Sequence, residues 1–277
     1  MSGTFSVADA HAGGLTSPEP FRSGHARAQA VVALFVVYIL ANLAALVSNL
    51  LQLRMLSDVT AGVRYTRSQL QLNDLRQAAI SFLSLIVYVT LAVVFLLWVH
   101  RAYRNLRALG NPERLLNHSP GWAVGSFFIP LVNLYLPYKI VREIWDLSDP
   151  NVRTQDDLMF FQPGGSPLLV VWWLSWIAIN IVGTIIFQLA LGAKSLETLL
   201  WMTKGLIIMR TLNVVAAVPA LLVVRQIDRR QEERSRYVSY APELPPPPPV
   251  FNQPIAKEPQ PSPAEEPRPS LAEEPQP

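Results

Sequence analysis

Three arginines spaced three residues apart are the strongest indication of chemistry in this sequence. Arg101, Arg104 and Arg107 follow Trp98, and Asn105 lies between the second arginine and the third. On a helix this spacing drifts slowly around one side, so the three guanidinium groups spread over about a third of the surface. Guanidinium groups recognise phosphate and carboxylate groups through paired hydrogen bonds. The pattern therefore predicts a binding site for an anion, although the same arginines could serve only as a topology signal.

A run rich in proline and aromatic residues occupies about residues 119–148 and contains Trp122, Pro130, Asn133 and Pro137. Internal prolines remove backbone donors and break helices. Broken backbone is tolerated at membrane depth only where it is buried in protein or lines a wet cavity. We therefore expect this run to form a re-entrant or interfacial element instead of a membrane span.

The last part of this run has the pattern of an amphipathic helix. Pro137 suits the first turn of a helix, and Asp149-Pro150 would end it. Apolar residues, including Trp145, fall on one side, whereas Glu143 and other charged residues fall mostly elsewhere. This length and pattern predict a helix lying on the membrane surface.

The sequence contains the residue types of a catalytic site without a catalytic motif. His118 and Ser119, with Glu113 nearby, have the residue types of a base, a nucleophile and an orienting acid, but their spacing implies no geometry. The sequence contains no Gly-x-Ser-x-Gly or His-Glu-x-x-His motif. It also contains no cysteine, which excludes thiolate catalysis, disulfides and cysteine-ligated metals. We expect no catalytic residues, no metal ligands and no cofactor.

The composition indicates a membrane protein, because 51% of the residues are hydrophobic and only 16% are charged. Soluble domains carry about 25% charged residues. Four stretches are long enough to cross a bilayer, and we predict spans at about residues 30–51, 78–100, 168–191 and 206–225. The first is too long for a cleavable signal peptide. Arg210 lies near the start of the fourth span, where we expect its side chain to snorkel outward.

The distribution of Lys and Arg residues favours four spans with both termini in the cytoplasm. This arrangement places 16 of them inside and 6 outside, with Arg210 omitted. A fifth span through the proline-containing run would give 14 inside and 8 outside at best. The positive-inside rule therefore favours four spans.

The chain divides into three predicted parts. Residues 1–27 form a disordered cytoplasmic arm, residues 28–236 a four-span membrane domain, and residues 237–277 an acidic, disordered tail that holds 14 of the 24 prolines. Such a composition cannot bury a core and favours extended polyproline II. A proline-rich tail can dock on an SH3-like groove, although it is more often a solvated spacer.

The residues around the arginines resemble a bacterial membrane family, domain of unknown function 4328. The resemblance covers about residues 35–235, and Tyr135 stands where the family more often has tryptophan. It implies a four-span helical protein of the bacterial cytoplasmic membrane and implies no activity. The matching motifs are Trp98 with Arg101, Arg104 and Asn105; Ser119 to Trp122; Phe128 to Pro137; and Glu143 to Trp145.

These observations predict an all-α, polytopic protein of the bacterial inner membrane that acts as a non-enzymatic interaction or sensor module. The alternatives are a transporter or channel subunit acting as an oligomer and, third, an intramembrane enzyme. The expected partners are membrane lipids with anionic head groups, with a second copy and a protein partner for the tail as further candidates, and no nucleic acid. The candidate anion or lipid site comprises Trp98, Arg101, Arg104, Asn105, Arg107, Trp122, Pro130, Asn133, Pro137, Glu143 and Trp145.

Overall fold

The computed structural model describes residues 20–152, 164, 166–191 and 195–240. The elements in these residues are all helices, which confirms the all-α fold class. They are α1 (His25–Thr60), α2 (Arg67–Ala108), α3 (Pro120–Gly125), α4 (Leu136–Leu147), α5 (Pro167–Leu191) and α6 (Leu196–Tyr240), with single 3₁₀ turns at Glu113–Leu115 and Val132–Leu134. Residues 1–19 of the predicted arm and 241–277 of the predicted tail lie outside the described residues, whereas residues 25–27 begin α1 and residues 237–240 end α6.

Four of the helices, α1, α2, α5 and α6, are long and apolar enough to cross a membrane. Each contains one predicted span. The connection between α1 and α2 is short, and Gly62 in it has φ 91°, a left-handed conformation that glycine adopts without strain. Thr66 then begins α2 with reciprocal hydrogen bonds to Gln69, a capping box. Local sequence therefore fixes the reversal between the first two spans.

The long helices run in alternate directions, so that α1 begins, α2 ends and α6 ends on the same side of the bundle. We call this side the terminal end, and we call the opposite side, where residues 61–66 connect α1 to α2, the hairpin end. α1 packs against both α2 and α6, and α5 packs against α6. His25 Nδ1 lies 2.7 Å from Asp228 Oδ2, so the start of α1 lies beside the last part of α6 and the two helices are antiparallel.

The helices extend beyond the membrane core at the terminal end. α6 has 45 residues and is therefore about 68 Å long, roughly twice the thickness of the hydrocarbon core of a bilayer. The additional turns of α6 lie beyond its apolar stretch and carry most of its charged residues. These projecting turns provide a surface against which the segment between α2 and α5 packs.

That segment contains only short helices, α3 with six residues and α4 with twelve. Ser119 begins α3, and its Oγ accepts a hydrogen bond from the Trp122 backbone N–H at 3.3 Å. The Phe127 ring lies 6.1 Å from the ring of Phe95 in α2. The proline-containing run therefore folds back against α2 without crossing the membrane domain, as its broken pattern predicts.

α4 begins at Leu136, with Pro137 in its first turn, and ends before Asp149-Pro150, as the sequence predicts. Its environment differs from the prediction, because its apolar residues are buried within the protein and Ile140 and Ile144 are 0% exposed. The expectation of a helix whose apolar face lies in the membrane surface was therefore wrong. An amphipathic pattern shows that one face is buried, but it does not distinguish burial in lipid from burial in protein.

The largest fully buried side chains gather at the terminal end, where α2, α4 and α6 meet. They include Trp98, Tyr103, Leu106, Ile140, Ile144 and Ile227. Within lipid, burying an apolar side chain between helices gains no hydrophobic free energy, because lipid tails are equally apolar. Close packing of large side chains is therefore most effective where the chain leaves the bilayer for water.

Replacing Ile144 with alanine should destabilise the protein by about 2–5 kcal/mol, since a fully buried side chain would leave a cavity. The change is measurable as a lower Tm of the full-length protein in detergent. Leu72→Ala is the matched control, because Leu72 is 66% exposed in the part of α2 near the hairpin end. Equal effects of the two substitutions would contradict a core at the terminal end.

Candidate functional site

A basic pocket lies at the terminal end between the start of α1 and the end of α2. It is an open cleft with a volume of about 490 Å³. Among the described residues that line it, the charged side chains are all arginines. The lining residues are Arg22, Ser23, Ala26, Arg27, His100, Arg101 and Arg104. The structure thus brings two of the three predicted arginines together with two others that precede or begin α1.

The basic pocket lies where the apolar stretches of α1 and α2 end. Arg27 comes three residues before the predicted first span, and Arg101 directly follows the predicted second span. A guanidinium group at this position lies at the level of lipid head groups when the spans occupy the hydrocarbon core. The pocket therefore presents a concentrated positive charge at a polar–apolar boundary.

Arg107 and Trp98 do not line the basic pocket. The Arg107 Nε lies 3.3 Å from Glu113 Oε1, and both side chains are largely exposed. Trp98 is 2% exposed and its ring packs 5.6 Å from the ring of Phe95. Arg107 therefore belongs to a surface ion pair, and Trp98 belongs to the core.

Asn105 joins a buried network of amides centred on Gln231 of α6. Asn105 Nδ2 donates to Gln231 Oε1 at 3.3 Å. Gln231 Nε2 donates to the Ala102 carbonyl at 2.8 Å and lies 3.1 Å from Ser148 Oγ, just after α4. Since Asn105 and Gln231 are almost completely buried, this network holds three segments together and offers no surface to a ligand.

Arg234 provides a second, cationic tie between α6 and α4. Its guanidinium group donates to the Leu147 carbonyl, and its Nη2 donates to Asn111 Oδ1 at 3.0 Å. Asn111 Nδ2 in turn donates to the carbonyls of Leu106 and Leu147 at 2.8 and 3.0 Å. The positive charge lies at the C-terminus of α4, where the helix dipole favours a cation.

Trp145 is also held by α6, through Arg230. The Arg230 guanidinium carbon lies 4.2 Å from the centre of the Trp145 ring, and its Nη1 donates to the Trp145 carbonyl at 3.1 Å. The neighbouring carboxyl of Asp146 is buried, and burial raises its pKa even though Arg142 lies 3.5 Å away and opposes the shift. These contacts make the end of α4 a packed structural junction.

Glu143 binds the segment between α2 and α3 instead of a ligand pocket. Its Oε1 accepts a hydrogen bond from the Asn117 backbone N–H at 2.8 Å and lies 2.7 Å from the Tyr103 hydroxyl. Its Oε2 lies 2.7 Å from His118 Nδ1. The carboxylate partner of His118 is therefore Glu143 and not Glu113, while Ser119 serves as a helix cap. His118, Ser119 and Glu113 therefore make separate local contacts: His118 with Glu143, Ser119 with the Trp122 backbone, and Glu113 with Arg107.

The remaining predicted residues lie on the proline-containing element and not among the residues lining the basic pocket. Trp122 is half exposed and Pro130 is exposed, whereas Pro137 is buried at the start of α4. The side-chain oxygen of Asn133 is buried and has no hydrogen-bond partner among the described residues. The predicted set therefore separates into a basic pocket, a packed junction and a short folded-back element.

The sequence interpretation missed the contribution of α1 to the basic pocket. Arg22 and Arg27 were assigned to a disordered arm, but Arg27 lies in α1 and both arginines line the pocket. The order of the spans does indicate this contribution. Consecutive antiparallel helices place the start of the first, here α1, beside the end of the second, here α2. The network residues Asn111, Gln231 and Arg234 carried no comparable signal, because polar residues near a helix end normally face water.

Replacing Arg234 with methionine should lower the free energy of unfolding by about 2–3 kcal/mol, because it leaves the Leu147 carbonyl and Asn111 Oδ1 without their charged donor. Thermal or denaturant unfolding in detergent would measure this loss. Arg236→Met is the control, because Arg236 is exposed on the same helix and should change stability by no more than about 0.5 kcal/mol. Wild-type stability of the Arg234 variant would contradict a stabilising role for this tie.

Comparison with known proteins identifies the family without assigning an activity. The family model described as a domain of unknown function, DUF4328, matches residues 61–229. No curated protein and no solved structure matches the chain. The matched region contains α2 to α5 and most of α6, including the arginines after Trp98, which confirms the resemblance seen in the sequence. The chain therefore belongs to the DUF4328 family.

Proposed function

We propose that this protein is a non-enzymatic membrane module that binds phosphate-bearing anions, above all anionic phospholipid head groups, through the basic pocket. The observation that carries the proposal is the convergence of Arg22, Arg27, Arg101 and Arg104 on one pocket. Guanidinium groups bind phosphate oxygens through two parallel hydrogen bonds. A pocket surrounded by several of them selects for that chemistry.

The position of the basic pocket favours a lipid over a soluble ligand. The apolar stretches of α1 and α2 begin and end within a few residues of its arginines, so a head group of the adjacent leaflet can enter without leaving the bilayer. Anionic lipid of the cytoplasmic leaflet attracts each nearby basic residue by about 1 kcal/mol. Several arginines in one pocket therefore give a useful affinity for a lipid that is present at high local concentration.

Replacing both Arg101 and Arg104 with glutamine should weaken the binding of phosphatidylglycerol by about 2 kcal/mol, or roughly thirtyfold. The binding is measured in detergent as the rise in Tm that phosphatidylglycerol causes, with phosphatidylcholine as the neutral lipid. Arg107→Gln is the matched control, because Arg107 is paired with Glu113 outside the pocket and should leave the response unchanged.

Soluble glycerol 3-phosphate distinguishes the two sources of the phosphate group. A rise in Tm with the lipid but not with glycerol 3-phosphate would identify a head-group site, and equal rises would identify a site for free phosphate-bearing anions. The proposal fails if the double variant keeps the full response to phosphatidylglycerol.

We also propose that the terminal end faces the cytoplasm of a bacterial cell and that the hairpin end faces outward. The excess of Lys and Arg residues in the segments at the terminal end supports this orientation. It places the basic pocket in the leaflet that carries the attracting negative surface potential.

The absence of cysteine from the sequence makes this orientation testable with single cysteines. Val63→Cys and Leu199→Cys, both exposed near the hairpin end, should react with a membrane-impermeant maleimide in intact spheroplasts. Tyr237→Cys, near the end of α6, should react only after lysis. Labelling of Tyr237→Cys in intact spheroplasts would contradict the proposed orientation.

A further inference from the structure

A polar cluster lies in the middle of the helical bundle, far from both of its ends. Asn42 Oδ1 of α1 accepts hydrogen bonds from Arg210 Nη1 at 3.3 Å and from Asn213 Nδ2 at 3.1 Å, both on α6. Asn42 Nδ2 donates to the Tyr38 carbonyl one turn earlier, at 2.8 Å. Asn42 is 0% exposed and Asn213 is 5% exposed. One buried amide oxygen therefore holds both α6 side chains.

The depth of this cluster places a guanidinium group well inside the membrane domain. Asn42 lies 14 residues after Ala28 and 11 residues before Leu53, the limits of the charge-free stretch of α1. At 1.5 Å per residue, Asn42 is about 16–21 Å from either limit. The expectation that Arg210 snorkels outward was wrong, because its Nη1 is hydrogen-bonded to a side chain near the middle of α1.

The charge of Arg210 has no acidic partner on the helices around it. Within α6 the nearest acidic residues are Glu197 and Asp228, 13 and 18 residues away in sequence, and residues 26–57 and 75–108 contain no Asp or Glu. A charged side chain in the membrane is costly unless it is paired or faces a wet cavity. The neutral amide oxygen of Asn42 reduces this cost, but it does not neutralise the charge.

Further polar atoms at the same depth remain without partners. Among the described residues, Arg210 Nε, Asn213 Oδ1 and Ser84 Oγ are buried and have no hydrogen-bond partner. Ser84 of α2 lies level with Asn42, because the Tyr38 and Tyr88 rings are 6.4 Å apart on one side and Ser48 Oγ lies 3.2 Å from Gln77 Oε1 on the other. A cation and two unused donor groups thus come from two helices at one depth.

We propose that Arg210 is the centre of an intramembrane site for a small inorganic anion of halide size. A dehydrated monovalent anion supplies the missing countercharge to the guanidinium group, whose side chain is partly exposed. A phospholipid phosphate does not fit this depth, because phosphates lie at the interface, about 15 Å or more from the middle of the bilayer. This site is separate from the basic pocket and independent of the function proposed for it.

The test is chloride binding to the purified full-length protein in detergent, measured by broadening of the ³⁵Cl NMR line at constant ionic strength with gluconate as the balancing anion. We expect saturable broadening for the wild type and at least about tenfold weaker binding for Arg210→Met, because a charged hydrogen-bond donor is lost. Arg225→Met is the matched control, since Arg225 is exposed on the same helix. The double variant Arg101→Gln/Arg104→Gln should also bind chloride like the wild type, which separates this site from the basic pocket.

The outcomes that overturn the proposal are equally specific. Broadening that does not saturate in the wild type, or that is unchanged in Arg210→Met, excludes an anion site at Arg210. Should Arg210→Met fail to fold, Arg210→Lys and Asn42→Leu decide the question. Weaker chloride binding by both of these variants supports the site, and wild-type affinity in both overturns it.

Discussion

The fold depends on polar side chains of one helix, α6, which form hydrogen bonds to α1, α2 and α4. Asn213 binds α1 at mid-depth, and Gln231, Arg230 and Arg234 bind backbone carbonyls of α2 and α4 at the terminal end. At mid-depth, helices in lipid gain little hydrophobic free energy by associating, so an interhelical hydrogen bond of about 1 kcal/mol, such as that of Asn213, becomes selective. Because these partners are largely buried, each bond also avoids the cost of an unsatisfied polar group. α6 therefore sets the register of the other helices.

The elements followed from the sequence, whereas the side-chain partners did not. Apolar stretches of about 20 residues located all four long helices, because a bilayer requires that length, and Pro137 marked the first turn of α4. Partners across the bundle depend on helix register, which periodicity does not specify. In the sequence Arg107 therefore looks equivalent to Arg104, yet Arg107 pairs with Glu113 and Arg104 lines the basic pocket. Arg210 lies only four residues after the start of the predicted fourth span, but distance along the sequence from a span limit does not equal depth in the bundle.

Positive charge occurs at two depths, and its cost differs greatly between them. At the basic pocket the side chains of Arg27 and Arg104 are exposed, so each arginine can be kept there at little cost. At mid-depth the insertion cost of a single arginine is about 2.5–3.5 kcal/mol on biological scales and larger for an isolated helix. The hydrogen bond from Arg210 to Asn42 offsets part of this cost. A retained cost of this size is difficult to explain by packing alone, because a leucine at residue 210 would avoid it.

The proline-containing element can be understood by the same comparison of costs. Leu131 has φ 66° and ψ −47°, a γ-turn conformation that is strained for a residue with a side chain and costs about 1–3 kcal/mol. This turn allows the Val132 N–H to donate to the Pro130 carbonyl at 2.8 Å, while the Asn133 N–H donates to the Ile129 carbonyl at 2.9 Å. An unsatisfied backbone group away from water costs several kcal/mol. That cost exceeds the strain at Leu131. The positive φ of Leu131 is therefore tolerated, because it allows the backbone groups around Pro130 to form hydrogen bonds.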